Sequence, residues 1–424
     1  MRQRRLCMIA AAVLVGITAC ARLPSGQENK EAAHAVVMPE YPAAIPKEDW
    51  EERIRFIQEN RPEEEFMKQL ANFTSVTASR LLKGGTENAN YSPVSLYYAL
   101  ALSQVGAGGS TAEELGNLTG IQDEEFLASQ CGKLFRLLYK DNEISKLKLA
   151  NSLWMDVSCS WKPDFETRAL NDFYASLHSV DFKEKEAARL AGEWIGEQTN
   201  QTIKPELEFS DGQLSAIVNT IYFYDQWIDR FDKNKTQKDL FYPETGEPEE
   251  MEFMNAVFSA HGFAKGENYT RSALGLKENG SMVFILPDEG TGVDELLKDP
   301  QTLTEALNGG ENGSGEVVFQ VPKFAIDSEF TLSELLRDLG INTAFTEDAD
   351  FSGMTDEPLF ISGVIQQSHI AVNENGVEAS AFTVIEYCGA SLPDGRAEMI
   401  LNRPFLYAVT DGSGGVLFLG VVRK

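Results

Sequence analysis

NENGVEASAFTVIEYCGAS, residues 373–391, has the side-chain alternation of a β-strand between two ends that are typical of a loop. Small or apolar side chains at every second position of residues 377–385 fall on one face of an extended chain. Gly376 permits positive φ near the start, and a Cys-Gly-Ala-Ser run ends the segment. Because residues 375–391 contain no proline that would remove a backbone donor, the segment can exist as a loop or as a strand.

The longer stretch VIQQSHIAVNENGVEASAFT, residues 364–383, resembles the hinge and reactive loop of the serpins. In that family a protease cleaves an exposed loop, and the freed part then enters the central β-sheet as a new strand. The resemblance implies a hinge made of Glu374, Gly376, Val377, Glu378, Ala379, Ser380 and Ala381. Val377, Ser380 and Phe382 differ from the residues that are usual in the family. We expect Val377 to face the core and Phe382 to face outward, which suits both side chains.

Two earlier segments also resemble serpin segments that surround the opening of the central sheet. Residues 88–115 contain an N-terminal helix cap at Ser92, and the resemblance places Ser92 and Ser95 where the central strands part. Residues 214–231 carry an asparagine inside an apolar strand and then a tryptophan. The resemblance therefore implies a sheet-opening region made of Ser92, Ser95, Asn219 and Trp227.

The serpin resemblance covers residues 62–424 and keeps the family order in eight segments, ending with a β-hairpin. It implies an α+β fold with a large central, mostly antiparallel β-sheet, further β-sheets and about eight to nine helices. The reactive loop is expected at about residues 374–400, exposed to solvent. Long apolar strands that alternate with helices also favour one large mixed domain.

The same resemblance implies that the chain is a suicide-substrate inhibitor of serine or cysteine proteases, which it traps as a covalent acyl-enzyme. Counting from Gly376 as in typical serpins places the bait bond at Ala390–Ser391, where a small side chain suits elastase-like or subtilisin-like proteases. The loop is about three residues longer than is common in the family, so Tyr387–Cys388 and Arg396–Ala397 remain alternatives. The other function class is a non-inhibitory serpin that acts as a surface binding or structural protein.

The first twenty residues have the layout of an export signal, with three early arginines and an apolar run over residues 6–17. Ile-Thr-Ala-Cys, ending at Cys20, resembles the bacterial lipobox and implies cleavage before Cys20 and a lipid on its thiol. An ordinary secretory signal is the alternative. We therefore expect a signal peptide at 1–19, a Pro/Ala/Glu-rich tether with a short helix at 20–61, and lipid anchoring on the outer side of a bacterial membrane, facing the extracellular or periplasmic space.

Composition excludes several other functions. The formal net charge of −28 opposes binding to nucleic acid. The four histidines lie in no recognisable catalytic or metal-binding pattern: His34, His178, His261 and His369. The Asp-Gly-Ser-Gly-Gly run at residues 411–415 fits a hairpin turn better than the nucleophile turn of a hydrolase. We expect no enzyme activity, no metal, no cofactor and a monomer.

The cysteines show no Cys-x-x-Cys pair among their five positions. Cys131 and Cys159 are expected to be small buried apolar residues, with a disulfide between them as the alternative. Cys388 lies in the predicted loop, where it would be an exposed thiol.

Overall fold

The computed structural model describes residues 34–46, 48–203, 205, 207–209, 214–278, 280–377 and 395–424. The predicted signal peptide, Cys20, the first part of the tether and residues 378–394 of the loop lie outside the described residues. Within the described ranges, no helix combines the length and apolar character needed to cross a membrane.

Ten α-helices occur in the described residues, close to the number predicted. They are α1 (Trp50–Glu59), α2 (Glu64–Leu81), α3 (Pro93–Gln104), α4 (Gly109–Thr119), α5 (Glu124–Leu138), α6 (Pro163–Asn171), α7 (Lys185–Gln198), α8 (Val293–Leu296), α9 (Pro300–Asn308) and α10 (Ser333–Asp338).

Seventeen β-strands and two 3₁₀ helices, Lys233–Lys235 and Thr343–Phe345, complete the described secondary structure, and the strands are given next. They are β1 (His34–Val37), β2 (Ala89–Tyr91), β3 (Lys140–Asp141), β4 (Lys146–Asp156), β5 (Ala175–Val180), β6 (Ser215–Gln226), β7 (Gln237–Phe241), β8 (Glu249–Lys265), β9 (Tyr269–Leu276), β10 (Gly280–Pro287), β11 (Glu311–Pro322), β12 (Phe324–Thr331), β13 (Ile365–Asn373), β14 (Gly376–Val377), β15 (Gly395–Ile400), β16 (Phe405–Thr410) and β17 (Val416–Val422).

The strands form two large mixed sheets. The first, which we call the central sheet, has the order β1-β5-β4-β6-β14-β13-β12, with β3 paired to β4. The second has the order β15-β11-β8-β9-β10-β16-β17-β2, with β7 paired to β8. Most pairs are antiparallel; β4 with β5 and β11 with β15 are parallel. This arrangement is the α+β fold that the sequence predicts.

The main core lies between the two sheets and is filled by α3, a helix that is apolar on nearly all sides and almost entirely buried. Phe66 and Phe73 of α2 make edge-to-face contacts with Tyr97 of α3, at centroid distances of 5.7 and 5.1 Å. A second apolar cluster lies between α7 and the central sheet. Helices therefore cover the central sheet on both faces.

The predicted tether is wrong for residues 34–41, because this segment packs on the domain. β1 adds an antiparallel strand to the edge of the central sheet, where His34 pairs with Val180 and Val37 with Leu177. Tyr41 stacks on Tyr139 at a centroid distance of 5.1 Å. The prolines that follow prevent a helix but leave an extended chain free to join a sheet edge.

Cys131 is buried, as expected, whereas Cys159 is only partly buried, and both are free thiols. Cys388 lies outside the described residues.

Candidate functional site

The turn at residues 373–376 carries the chain from β13 into β14, the first two residues of a strand in the middle of the central sheet. Val377 pairs with Val372 of β13 on one side and with Asp225 of β6 on the other. β14 is therefore held between two long strands. The predicted hinge residues Glu378, Ala379, Ser380 and Ala381 lie outside the described residues.

Gly376 and Val377 fit this position for different reasons. A Cβ atom on Gly376 would lie 2.2 Å from the carbonyl oxygen of Asp225, so only glycine permits this approach to β6. The Val377 side chain is fully buried in the main core, in the orientation expected from the alternation. Entry into the sheet thus requires a missing side chain at one residue and an apolar side chain at the next.

Trp227 anchors the turn from below. Its indole Nε1 donates a hydrogen bond to the carbonyl oxygen of Asn373 at 2.8 Å, and its backbone N–H donates to Asn375 at 3.2 Å. The backbone N–H of Phe231 donates to the carbonyl oxygen of Glu374 at 3.2 Å. Trp227 is fully buried, so it lies beneath the point where the chain enters the sheet.

Glu374 is a carboxylate buried in this turn, with a relative exposure of 7%. It accepts a hydrogen bond from the Thr236 hydroxyl at 2.9 Å and pairs with the Lys323 Nζ at 3.4 Å. Burial by itself would raise the pKa of Glu374, but hydrogen bonds from its own backbone N–H and from Thr236, together with the charge of Lys323, lower that pKa below its ordinary value. The carboxylate is therefore ionised and fixes the turn to its neighbours.

Beyond β14, β6 and β13 run side by side with several of their Cα atoms within 8 Å of each other, and we call the seam between residues 215–224 of β6 and residues 365–371 of β13 the slot. In the described part of the chain, β6 and β13 form no ladder with each other, because β14 separates them. Neighbouring strands in a sheet are about 4.8 Å apart, so β6 and β13 are separated by about 9.6 Å where β14 lies between them. A cavity of about 300 Å³ lies along the slot.

Three polar side-chain atoms at the slot are buried and have no hydrogen-bond partner among the described residues: Ser95 Oγ, Asn219 Oδ1 and Thr220 Oγ1. Buried polar groups without partners are rare, and each costs about 1–3 kcal/mol. Ser95 and Asn219 were predicted to belong to the sheet-opening region, and both border this cavity. The Asn219 side chain is half satisfied, since its Nδ2 donates to the Asn151 Oδ1.

Ser92 lies where α3 begins and joins three elements. Its Oγ accepts from the backbone N–H of Ser95 at 3.3 Å and donates to the carbonyl oxygen of Leu417 at 2.8 Å. The Gln366 side chain of β13 holds the same residue, accepting from the Ser92 backbone N–H at 3.0 Å and donating to its carbonyl oxygen at 2.9 Å. Ser92 therefore ties β13 to α3 and to β17.

Sequence reasoning missed Gln366, Ser368 and Asn90. The Asn90 Nδ2 donates to the Ser368 Oγ at 3.1 Å, and that hydroxyl donates to the Asn90 carbonyl oxygen at 2.6 Å. The sequence signal that could have identified the two β13 residues is their spacing. Gln366 and Ser368 alternate with exposed or half-buried residues and so share the buried face of β13 with Ile370 and Val372. Polar residues on an apolar strand face indicate a buried hydrogen-bond network.

The end of the predicted loop differs from expectation. Residues 395–400 form β15, which runs parallel to β11, and Ala397 has a relative exposure of only 4%. The alternation of Ala397 and Met399 on one face explains this strand. A protease needs its substrate segment free and extended, so the described structure makes Arg396–Ala397 inaccessible. Ala390–Ser391 and Tyr387–Cys388 lie outside the described residues.

One protein family matches this chain over the region that carries this architecture. The family model described as Serpin (serine protease inhibitor) matches residues 68–424. The chain belongs to the serpin family. The match begins inside α2, whereas the predicted serpin domain begins at residue 62. Protease inhibition is the activity that this family description names.

Serpins from distant organisms resemble the chain along most of its length. Serpin-Z1C of Triticum aestivum is 31% identical over 369 residues, which cover 82% of this chain and 92% of that protein. Serpin B3 of Homo sapiens is 29% identical over 367 residues, which cover 80% of this chain and 94% of that protein.

Solved serpin structures match in fold. The native state of the thermophilic serpin tengpin has a TM-score of 0.76 and 27% identity, covering 85% of this chain and 95% of tengpin. Human thyroxine-binding globulin in complex with its hormone has a TM-score of 0.75 and 23% identity, covering 85% of this chain and 99% of that serpin. At that identity the second match is evidence of the fold alone.

Proposed function

We propose that this serpin inhibits serine or cysteine proteases as a suicide substrate, and that its cleaved loop inserts into the slot. The observation that carries the proposal is β14. Its two residues pair with both β13 and β6, so the start of the loop already occupies the position of an inserted strand. The slot continues from this point along the two strands.

The reaction begins when the nucleophile of the protease attacks the carbonyl carbon of Ala390. The peptide bond to Ser391 breaks, the amine of Ser391 leaves, and Ala390 remains as an ester or thioester on the protease. The chain is then divided between β14 and β15, which belong to different sheets. The part that begins at Gly376 is released from β15 and is free to continue into the slot.

Insertion moves the protease before water can hydrolyse the acyl bond. Fifteen residues at about 3.3 Å each extend roughly 50 Å, which carries the acyl-enzyme to the far end of the slot. Each new ladder hydrogen bond contributes about 1 kcal/mol net. The unpartnered oxygens of Ser95, Asn219 and Thr220 also gain a polar chain beside them, which offsets part of their burial cost.

The small residue at the bait bond favours proteases with a shallow first pocket, such as elastase-like or subtilisin-like enzymes. Cleavage at the alternative bond after Tyr387 would instead favour proteases that accept a large aromatic side chain. Mass spectrometry of the released C-terminal fragment identifies the bond: a fragment that starts at Ser391 supports the first assignment, and one that starts at Cys388 contradicts it.

The trapping test compares Val377→Arg with Val377→Thr after incubation with an elastase-like protease. Arginine would place a charge in a fully buried position at the start of the strand, whereas threonine keeps the β-branched shape. We expect denaturing electrophoresis to show a covalent complex for the parent and the threonine variant, and only cleaved chain for the arginine variant.

Equal trapping by the arginine variant would contradict insertion. A parent that is cleaved but never forms a covalent band would favour the non-inhibitory alternative, a serpin that acts as a surface binding protein. A protease whose nucleophile has been substituted is the matched control, because it can bind the loop but cannot form the acyl bond.

We further propose that the chain is exported, cleaved before Cys20 and held at the outer surface of a bacterial membrane by a lipid on that cysteine. The lipobox-like sequence supports this placement. Labelling cells with a radioactive fatty acid tests it. Label should appear in the parent and disappear in Cys20→Ser; label that persists in Cys20→Ser would contradict lipidation at this residue.

A further inference from the structure

Two histidines meet where the N-terminal strand joins the central sheet. The His34 Nε2 of β1 lies 3.1 Å from the His178 Nδ1 of β5. The planes of the two rings differ by 9°, and their centroids are 5.4 Å apart. This centroid distance equals the distance between the facing nitrogens plus, for each ring, about the distance from its centre to its nitrogen. The two imidazoles therefore lie end to end in nearly one plane and form an in-line N–H···N hydrogen bond.

This pair is part of a larger stack. Trp154 of β4 lies face to face with His178 at a centroid distance of 4.0 Å and an angle of 12°. Trp194 of α7 approaches His178 edge-on at 6.4 Å. The His178 Nε2 also lies 2.9 Å from the Ser176 hydroxyl. His178, only 3% exposed, thus connects β1 to β4, β5 and α7.

The hydrogen bond between the rings depends on how many protons the pair holds. A neutral pair has one proton between the facing nitrogens, and a singly charged pair can keep that arrangement. A doubly charged pair would place an N–H on each facing nitrogen, so the bond would be replaced by repulsion between two cations. Protonation of both rings therefore favours the separation of β1 from β5.

The stack is also connected to the slot. The Trp154 Nε1 donates to the Ser152 Oγ at 2.8 Å, and that hydroxyl donates to the carbonyl oxygen of Val218 at 3.2 Å. Val218 belongs to β6 and lines the cavity of the slot. Two hydrogen bonds thus join the tryptophan that stacks on His178 to the strand beside which the loop would insert.

We propose that His34 and His178 form a proton-controlled latch, which holds the N-terminal strand β1 on the central sheet at neutral pH and releases it in acid. The latch also links this release to the slot through Trp154, Ser152 and β6. This second part rests on the proposed insertion mechanism, whereas the release of β1 does not.

The electrostatic surroundings support release in acid. Burial, together with the neighbouring His34, lowers the pKa of His178 from 6.5 to about 4. Partial burial of its ring also lowers the pKa of His34, although the residue as a whole is exposed, and the charge of Glu186 on α7 partly opposes this shift. β4 and β5 present Trp154, Ser152 and Ser176, which do not titrate in this range.

The lowered pKa of His178 determines how the stability of the closed form changes with pH. The folded state favours neutral His178, so its stabilising contribution is complete above pH 6.5 and is lost as the pH falls toward 4. Between pH 7.5 and pH 5.0, a shift from 6.5 to about 4 favours the open form of β1 by up to about 30-fold.

Hydrogen exchange of residues 34–37, corrected for intrinsic exchange rates, tests the latch at these two pH values in the full chain. We expect the opening equilibrium of the parent to rise at least fivefold at pH 5.0. In His178→Gln, which keeps a polar side chain toward Ser176 and His34, the rise should fall below about twofold. His34→Gln should reduce the rise, because it removes the neighbouring charge but not the burial.

His261→Gln is the matched control, because the His261 ring forms a hydrogen bond with the carbonyl oxygen of Ala273 in the second sheet. This variant should show the same rise in the opening of β1 as the parent. A thermal melt at pH 7.5 verifies that each variant is folded. No rise in the parent, or a full rise in His178→Gln, would overturn the latch.

The link to the slot has a separate readout, the number of inhibitor molecules consumed per protease trapped. If the link holds, this ratio differs between pH 7.5 and pH 5.0 in the parent more than in His178→Gln, after correction for the activity of the protease. Equal pH dependence in both chains would overturn the link, even where hydrogen exchange supports the latch.

Discussion

At the scale of single residues, Gly376 combines two constraints that no other residue satisfies. Its φ of 157° is a backbone conformation that residues with a side chain rarely adopt. The second constraint is contact, because a Cβ atom would overlap the carbonyl oxygen of Asp225. The positive φ was predicted from the sequence and is confirmed, whereas the contact with Asp225 was not predicted.

We predict that Gly376→Ala forces β14 away from β6 and slows insertion, so that more chain is cleaved without trapping protease. The number of inhibitor molecules consumed per protease trapped should rise at least severalfold. Gly412→Ala is the control, since a Cβ atom there meets no atom within 4 Å. An unchanged ratio in Gly376→Ala would contradict the proposed role of this contact.

Glu374 provides an electrostatic test of the same turn. We predict that Glu374→Gln lowers the free energy of unfolding by about 1–2 kcal/mol at pH 7, because a charged hydrogen-bond acceptor is lost beside Thr236 and Lys323. Since the folded pKa is below 4.5, this difference is present above pH 4.5 and disappears as the pH falls through the folded pKa.

Chemical denaturation of both chains across this pH range measures the effect. Glu252→Gln is the matched control, because it removes the other carboxylate on Lys323 from a position that is 55% exposed. We expect that control to change the free energy of unfolding by less than about 1 kcal/mol. A larger effect from Glu252→Gln than from Glu374→Gln would contradict the assignment.

At the scale of elements, two serines at the start of α3 differ in their contacts, although both were predicted to belong to the sheet-opening region. The Ser92 hydroxyl caps the helix and bonds to β17, while the Ser95 hydroxyl is buried without a partner. One serine therefore stabilises the folded element, and the other adds a cost that an inserted strand could reduce.

We predict that Ser92→Ala lowers the free energy of unfolding by about 1–2 kcal/mol, because it removes a helix cap and a buried hydrogen bond. Ser95→Ala should be neutral or stabilising, because it removes an unsatisfied hydroxyl. Denaturant unfolding of the two variants measures the contrast, and a larger loss in Ser95→Ala would refute it.

Strand elements show which parts of the fold the sequence could predict. The alternation of residues 147–154 predicts β4, and the residue type of Ser92 predicts the helix cap. Residues 165–182 favour one helical stretch through Phe165, Leu170 and Tyr174, but α6 ends at Asn171 and β5 follows it. Five of its six side chains are buried, so it lacks the clean alternation of a strand with one solvent face.

Some features of the fold depend on contacts between distant segments, and local sequence patterns do not predict them. The apolar spacing of Trp50, Ile54 and Ile57 predicts a helix, and α1 forms there, but all three side chains are exposed in the described structure. β1 exists because His178 and its neighbours offer a partner 144 residues away from His34. Local patterns contain no information about such partners.

At the scale of the whole molecule, insertion requires an uncut state that is less stable than the cut one. A strand of about 15 residues inside the central sheet gains ladder hydrogen bonds on both sides, on the order of 10 kcal/mol in total. This gain is similar to the entire stability of an ordinary domain. In the proposed mechanism the uncut chain cannot insert, because it continues into β15 of the second sheet.

The most direct test of loop insertion is thermal unfolding of the chain before and after a single cut in residues 378–394, with a protease that is then removed. Insertion predicts that the cut chain unfolds on the order of 20 °C above the uncut chain, since one kcal/mol shifts the midpoint of a large domain by roughly 2 °C. A cut chain that unfolds at the same temperature as the uncut chain, or below it, would contradict insertion and the inhibitory mechanism that depends on it.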